Sequence, residues 1–299
     1  MNVSPSLDPS DNIKLVQITD THLFAADDGC LLSVNTADSF HAIVQAIIEQ
    51  KVAFDALLAT GDISQDHSAE SYQRFASEIS ALQKACFWLP GNHDYKPNMG
   101  SVMPSSQLHA PEHVLLGKHW QMILLDSQVV GVPHGRLSDY QLNLLDEKLA
   151  QHPDRYALIL LHHHPLLVGS AWLDQHTLKD SDAFWSVIQR HQNARAVLCG
   201  HVHQDMDRTF AGVKVMASPS TCVQFKPNSD DFALDQCSPG WRELELHADG
   251  QVTTQVKRLA RGAFVPGLYF KWVLIWVCAL RYCCIYMVLT AHRFHTKLR

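Results

Sequence analysis

Five short segments of this chain concentrate side chains that bind metals: Asp20-Thr21-His22, Gly61-Asp62, Gly91-Asn92-His93-Asp94, His162-His163-His164-Pro165 and Gly200-His201-Val202-His203. A pair of divalent ions about 3.5–4 Å apart needs one carboxylate to bridge it, plus several terminal oxygen and nitrogen ligands. The segments supply Asp, His, Asp, Asn, His, His and His, a set suited to hydrolysing a phosphate ester on two ions. Imidazole, carboxylate and amide oxygen without thiolate suit Mn, Fe or Zn rather than an iron–sulfur cluster or Cu(I). The eight cysteines, at 30, 86, 199, 222, 237, 278, 283 and 284, contain no CxxC pair. They form no disulfide framework and fit a reducing cytoplasm.

Each segment follows a strand-like run. Ile13 to Thr19 is apolar and ends at Asp20, and a helical period follows at Phe40, Ile43, Val44, Ile47 and Ile48. Ala53 to Thr60 ends at Gly61-Asp62, a helix over roughly Ala69 to Leu82 comes next, and Ala85 to Leu89 stops before Pro90. This repetition is a βαβ arrangement, which gathers ligands at the carboxyl ends of its strands. The second half continues with strands at Gln121 to Leu125, Tyr156 to Leu161 and Ala194 to Cys199, the last two ending at the His-rich loops. Ser138 with Gln141 reads as a capping box opening a helix. Met206 to Phe210, Val213 to Ala217, Arg242 to Leu246 and Val252 to Val256 read as a β-rich finish, with Asp249-Gly250 as a hairpin turn. The expected fold class is α/β, a four-layer α-β-β-α sandwich of two mixed β-sheets with helices on the outer faces. The chain divides into a polar lead-in (1–12), one catalytic domain (13–262) and an atypical hydrophobic, basic tail (263–299).

At 299 residues, 46% hydrophobic and 18% charged, the sequence describes a globular protein with a sizeable core. Its formal charge of −6 becomes −11 when the five cations of the last 36 residues, Lys271, Arg281, Arg293, Lys297 and Arg299, are set aside. An acidic body is a poor match to a polyphosphate backbone, so no nucleic acid is expected as partner. Met1 to Ser10 lacks a basic stretch followed by an apolar run, so no secretory leader is expected there. Along the His trio, His162 and His164 face one way on extended backbone and His163 the other, so only one side of the trio reaches a metal pair with ease.

Taken together, the segments resemble the calcineurin-like metallophosphoesterases, whose pattern D-x-H, G-D, G-N-H-D/E, H-x-P, G-H-x-H is matched without a gap. More narrowly, the chain resembles the bacterial class III 3′,5′-cyclic-AMP phosphodiesterases from about Lys14 to Leu259. Gly61 to Asp66, His134 to Ser138 and Ser218 to Pro227 carry the narrower likeness. The resemblance implies that Asp20, His22 and His203 hold one ion, Asn92, His163 and His201 the other, and Asp62 bridges them. His93 is implied as acid or charge stabiliser, Asp94 as the group orienting its ring, and Asn92, His93, His164 and His203 as substrate contacts. His162 is left a structural role.

The implied reaction is hydrolysis of cyclic AMP to AMP by a hydroxide bridging two divalent ions, Fe and/or Mn before Zn, in the cytoplasm. Other readings are a broader phosphodiesterase or phosphomonoesterase on the same ions and, in a different class, a noncatalytic nucleotide-binding module. The tail is read as a frameshifted or unfolded appendage rather than as part of the function. Its 24 residues Leu268 to Ala291 are long enough to span a bilayer, with Trp272, Trp276, Tyr282 and Tyr286 as interface anchors. Arg281 falls at their centre, where a charge costs about 2.5–3.5 kcal/mol.

Overall fold

The computed structural model describes residues 12–267. The lead-in before Asn12 and the tail from Leu268, including the bilayer-length stretch, lie outside the described residues. Among the described residues no helix is long and apolar enough to cross a membrane.

The strands are β1 (Ile13–Ile18), β2 (Cys30–Leu31), β3 (Val34–Asn35), β4 (Ala56–Ala59), β5 (Ala85–Trp88), β6 (Leu108–His109), β7 (His113–Leu116), β8 (Trp120–Leu124), β9 (Tyr156–Leu160), β10 (Ala194–Cys199), β11 (Met206–Phe210), β12 (Val213–Ala217), β13 (Gly240–Leu246) and β14 (Val252–Arg258). The helices are α1 (Thr36–Glu49), α2 (Ala69–Ser80), α3 (Lys96–Val102), α4 (Asp139–Gln151), α5 (Ala171–Asp174) and α6 (Ser181–Ile188). One six-stranded sheet runs β14-β13-β1-β4-β5-β6, and a second runs β11-β12-β10-β9-β8-β7. Both are mixed. The pairs β1/β4, β4/β5, β8/β9 and β9/β10 are parallel, while β13/β14, β11/β12 and β7/β8 are antiparallel hairpins.

Alternation along the central strands explains the layering. Leu15, Leu58, Leu158 and Leu198 meet between the sheets, with Phe87, Trp120, Met122 and Met216. Their neighbours Val16 and Leu57 turn outward onto Phe40, Ile43, Ile47, Tyr72 and Phe75 of α1 and α2. On the other side Ile159 and Val197 meet Leu145, Leu149, Phe184 and Ile188 of α4 and α6. A strand covered on both faces must be apolar at nearly every position, so these runs carry no polar–apolar alternation. The result is the expected α-β-β-α sandwich.

Helix starts follow the expected chemistry. Asn35 and Ser68 accept the Asp38 and Ser71 amides at 3.0 and 3.1 Å. Ser138 accepts the Gln141 amide at 3.3 Å, but the Gln141 side chain accepts from the Asp126 amide at 3.0 Å rather than returning to Ser138. Half of the capping box forms, and the other half ties α4 to the loop after β8.

Candidate metal centre

β1, β4 and β5 of one sheet and β9 and β10 of the other deliver the five segments to a common rim. The connections there are abrupt. Asp20, His22, Asp62, His201 and His203 all have left-handed backbone, with φ of 54°, 46°, 51°, 69° and 49°. Such conformations cost of order 1–3 kcal/mol each and persist where the surroundings over-determine them. Here the surroundings are one another: the Asp20 amide donates to the Gly61 carbonyl at 3.0 Å, the His22 amide to the Asp62 carbonyl at 2.9 Å, and the His201 amide to Asp20 Oδ2 at 3.0 Å. A Cβ on Gly200 would lie 2.9 Å from Asp20 Oδ2 and closer still to Thr19 Oγ1, so only glycine allows β10 this near to β1.

Three imidazoles have their tautomer set by a carbonyl oxygen, which can only accept. Nδ1 donates to Gln65 Oε1 from His22 (2.7 Å), to the Thr60 carbonyl from His162 (2.7 Å) and to the Val223 carbonyl from His203 (2.8 Å). Each Nε2 therefore turns inward. In the neutral rings Nε2 of His22 and of His203 are both acceptors, yet they stand 3.1 Å apart with Asp20 Oδ1 3.4 Å from the latter. Lone pairs converging on one point, each ring held from behind, is the arrangement of imidazoles that ligate a cation. The residues present fit a metal.

Asp62 is buried and central. Its Oδ1 accepts the His93 amide at 2.8 Å, while Oδ2 lies 3.2 Å from His162 Nε2 and 3.9 Å from His22 Nε2. Ligand atoms of Asp20, His22 and His203 fall within 4.8 Å of one another, as do those of Asp20, Asp62 and His162, and those of His162, His163 and His201. Nε2 of both His163 and His201 is buried without a hydrogen-bond partner. Charges follow the same map. Burial, then the opposing His charges, leaves His22 down at about 3, although Asp62 pulls the other way. Burial also lowers His162, but the Asp62 and Asp20 carboxylates outweigh it and raise the ring to about 9.

Four of the residues singled out in the sequence stand as follows. His162, left a structural role, puts Nε2 3.2 Å from both Asn92 Oδ1 and Asp62 Oδ2 and so belongs inside the cluster. His163, implied as a ligand, sits beside it with Nδ1 2.8 Å from Ser127 Oγ and its buried Nε2 unpartnered, within 4.8 Å of the ligand atoms of His162 and His201. β9 ends at Leu160, one residue before the trio. His164, expected to touch substrate, is fully buried behind His201, rings 5.6 Å apart, with Nε2 3.6 Å from Asp174 Oδ1. Asp94, expected to orient the His93 ring, is turned inward: Oδ1 accepts from the Ile63 and Ser64 amides and Tyr72, and Oδ2 from the Gly91 amide at 2.9 Å. Burial and the Asp62 charge push its carboxyl up to about 7. It closes the loop that carries Asn92 and His93. His93 itself is half-buried, its ring 5.0 Å from that of His22.

Residues that the ligand motifs do not name complete the site. Gln65 lies in the segment 61–66, and Val223 and Phe225 in the stretch 218–227, whose family likeness was their only signal. Phe225 stacks on His203 at 4.2 Å and 11°, and Trp172 and Phe232 pack edge-on against it.

Comparison with known proteins agrees with this geometry. Residues 13–205 match the family model described as calcineurin-like phosphoesterase. The chain is 68% identical over 255 residues to a Vibrio vulnificus protein named 3′,5′-cyclic adenosine monophosphate phosphodiesterase CpdA, covering 85% of this chain and 93% of that one. To the Escherichia coli K12 protein of the same name it is 49% identical, covering 85% and 92%. Among solved structures, a dimetal phosphatase from Danio rerio superposes with a TM-score of 0.59 at 15% identity, over 83% of this chain and 99% of that one.

Proposed function

This chain belongs to the calcineurin-like phosphoesterase family, and from that premise we propose that it hydrolyses 3′,5′-cyclic AMP to AMP on two divalent ions. The observation that carries the reading is a pair of buried ligand clusters, Asp20, His22 and His203 in one and His162, His163 and His201 in the other, with Asp62 grouped with Asp20 and His162 between them and Asn92 Oδ1 3.2 Å from His162 Nε2. The names of relatives that share 49–68% of its residues supply the substrate. Divalent ions held there would offset charge on the phosphoryl oxygens and lower the pKa of water from about 15.7 toward about 7.

The chain's own residues do the rest. His93 stands at the half-buried mouth next to His22, where a protonated ring stabilises the developing charge or donates to the departing sugar oxygen. Its backbone amide holds Asp62 Oδ1 and so fixes the carboxylate that would bridge the ions. Asp94 serves by fixing the loop. Fe and Mn are the preferred ions, with Zn the alternative, and the thiols support a cytoplasmic setting.

The test is hydrolysis of cyclic AMP by chelator-stripped protein and by protein reloaded with Mn, Fe or Zn, beside cyclic GMP, a linear phosphodiester and a phosphomonoester. Metal-restored, selective formation of AMP is expected. Turnover of the linear ester alone discards the cyclic-nucleotide substrate, and binding of the nucleotide without turnover discards the enzyme.

A further inference from the structure

Behind Asp20, a file of buried polar side chains crosses the core from β13 to the metal rim. The Arg242 Nε–H donates to Ser218 Oγ at 3.1 Å, and the Ser218 hydroxyl donates to Gln17 Oε1. Gln17 Nε2 donates to Thr60 Oγ1 at 2.7 Å and to the Cys199 carbonyl at 3.0 Å. The Thr60 hydroxyl donates to Thr19 Oγ1 at 2.7 Å, and the Thr19 hydroxyl to Asp20 Oδ2 at 2.7 Å. All five intervening side chains, Arg242 included, are at most 1% exposed.

The direction of every bond is forced. A guanidinium has no acceptor, an ionised carboxylate has no donor, and each hydroxyl between them owns one proton. Reversing any link would orphan a buried donor or acceptor. Aligned bonds polarise one another, so a chain from a cation to an anion is stronger than its parts. The cation is itself well held: Arg242 donates to Asp205 Oδ1 at 2.6 Å, the Ala217 carbonyl at 2.7 Å and Thr254 Oγ1 at 3.1 Å. At the other end, Oδ2 of Asp20 accepts from the Thr19 hydroxyl at 2.7 Å and the His201 amide at 3.0 Å, while Oδ1 shares only that amide, at 3.1 Å, and is the oxygen turned toward His203 Nε2.

We propose that Arg242, Ser218, Gln17, Thr60 and Thr19 form a one-way positioning chain that selects Oδ1 of Asp20 as the ligand oxygen and sets the affinity of the ion shared by Asp20, His22 and His203. The inference rests on the metal reading above and goes beyond it, since none of the five touches an ion. Arg242, Ser218 and Gln17 are separated from Asp20 by the two threonines.

The experiment is a calorimetric titration of the full chain, stripped by chelator, with Mn2+. Wild-type protein is expected to show two binding steps; no step at all would overturn the metal site and the chain together before any variant is compared. Thr19→Val and Ser218→Ala should each weaken one step by about 10–100-fold and spare the other, the range found for outer-shell partners of metal ligands. The double variant should be no weaker than the worse single, because the file is already broken. Thr19→Ser, which keeps the hydroxyl, should retain wild-type affinity. Should Ser218→Ala fail to fold, the near-isosteric Thr60→Val asks the same question. Unchanged Mn2+ binding in Ser218→Ala with a lowered Tm of the metal-free protein, or losses that simply add in the double variant, would overturn the chain.

Discussion

At the rim where the parallel strands end, left-handed backbone falls on Asp20, His22, Asp62, His201 and His203, all buried. At the opposite rim the three hairpin turns, β7/β8, β11/β12 and β13/β14, give it to Gly117, Gly212 and Gly250, with exposed Ala211 beside Gly212. A hairpin asks only that the chain reverse, and glycine does so without a steric cost. The rim of candidate ligands presents each side chain within a residue or two of the strand end, so the cost falls on those residues themselves. Asn, Asp and His tolerate this region better than other residues. Turn chemistry and ligand chemistry therefore select the same residue types at one rim and different ones at the other.

That contrast can be broken in order of effect. Asp62→Ala should lose at least one ion by elemental analysis and leave less than about a thousandth of the turnover, since it removes the shared carboxylate; full occupancy of both sites would refute its bridging place. His162→Ala and His163→Ala should each weaken one ion by roughly a hundredfold, and unchanged binding in either variant would remove that ring from the ligand set.

Chelation acts on the ligand rim without changing a residue. Ligation holds the strained loops together, so removing an ion present at about 100 times its dissociation constant should cost about 2.7 kcal/mol. For a domain of this size that lowers Tm by about 5–10 °C, read by calorimetry with and without chelator. Smallest is Gly212→Ala at the far rim, where φ is +81° and no atom lies within 4 Å of the added Cβ. It should cost about 1–2 kcal/mol in urea unfolding and leave turnover untouched. A changed turnover would mean that the two rims are coupled.

Much of this was legible in the sequence because burial on both faces writes long apolar runs. Ala194–Cys199, Met206–Phe210 and Val213–Ala217 coincide with their expected limits, and β1, β4, β5 and β9 differ by a residue or a few at the ends. The short pieces β2, β3, β6 and α5 have too few residues to carry a period. Within the site, the five segments announced the ligand types but not their neighbours. The Thr60 carbonyl that turns His162 inward is a backbone atom, and no side-chain pattern encodes it. Counting back from Pro165 therefore named His163 and left out His162 beside it. The inward turn of Asp94 was hidden for the same reason, since its partners are mainly amides of residues 63, 64 and 91.

The placement of β1 has a consequence for timing. β1 lies between β4 and β13, with Ile13 paired to Leu246, and Asp20 receives bonds from residues 201 and 220. On a ribosome adding about 5–20 residues per second, roughly 10–45 s separate the emergence of Asp20 from that of β13. Through that interval one edge of β1 lacks its neighbour and exposes unpaired amides and carbonyls, the kind of template on which nascent chains stick to one another. The contacts that fix Asp20 in place therefore form only after the second half of the chain has emerged.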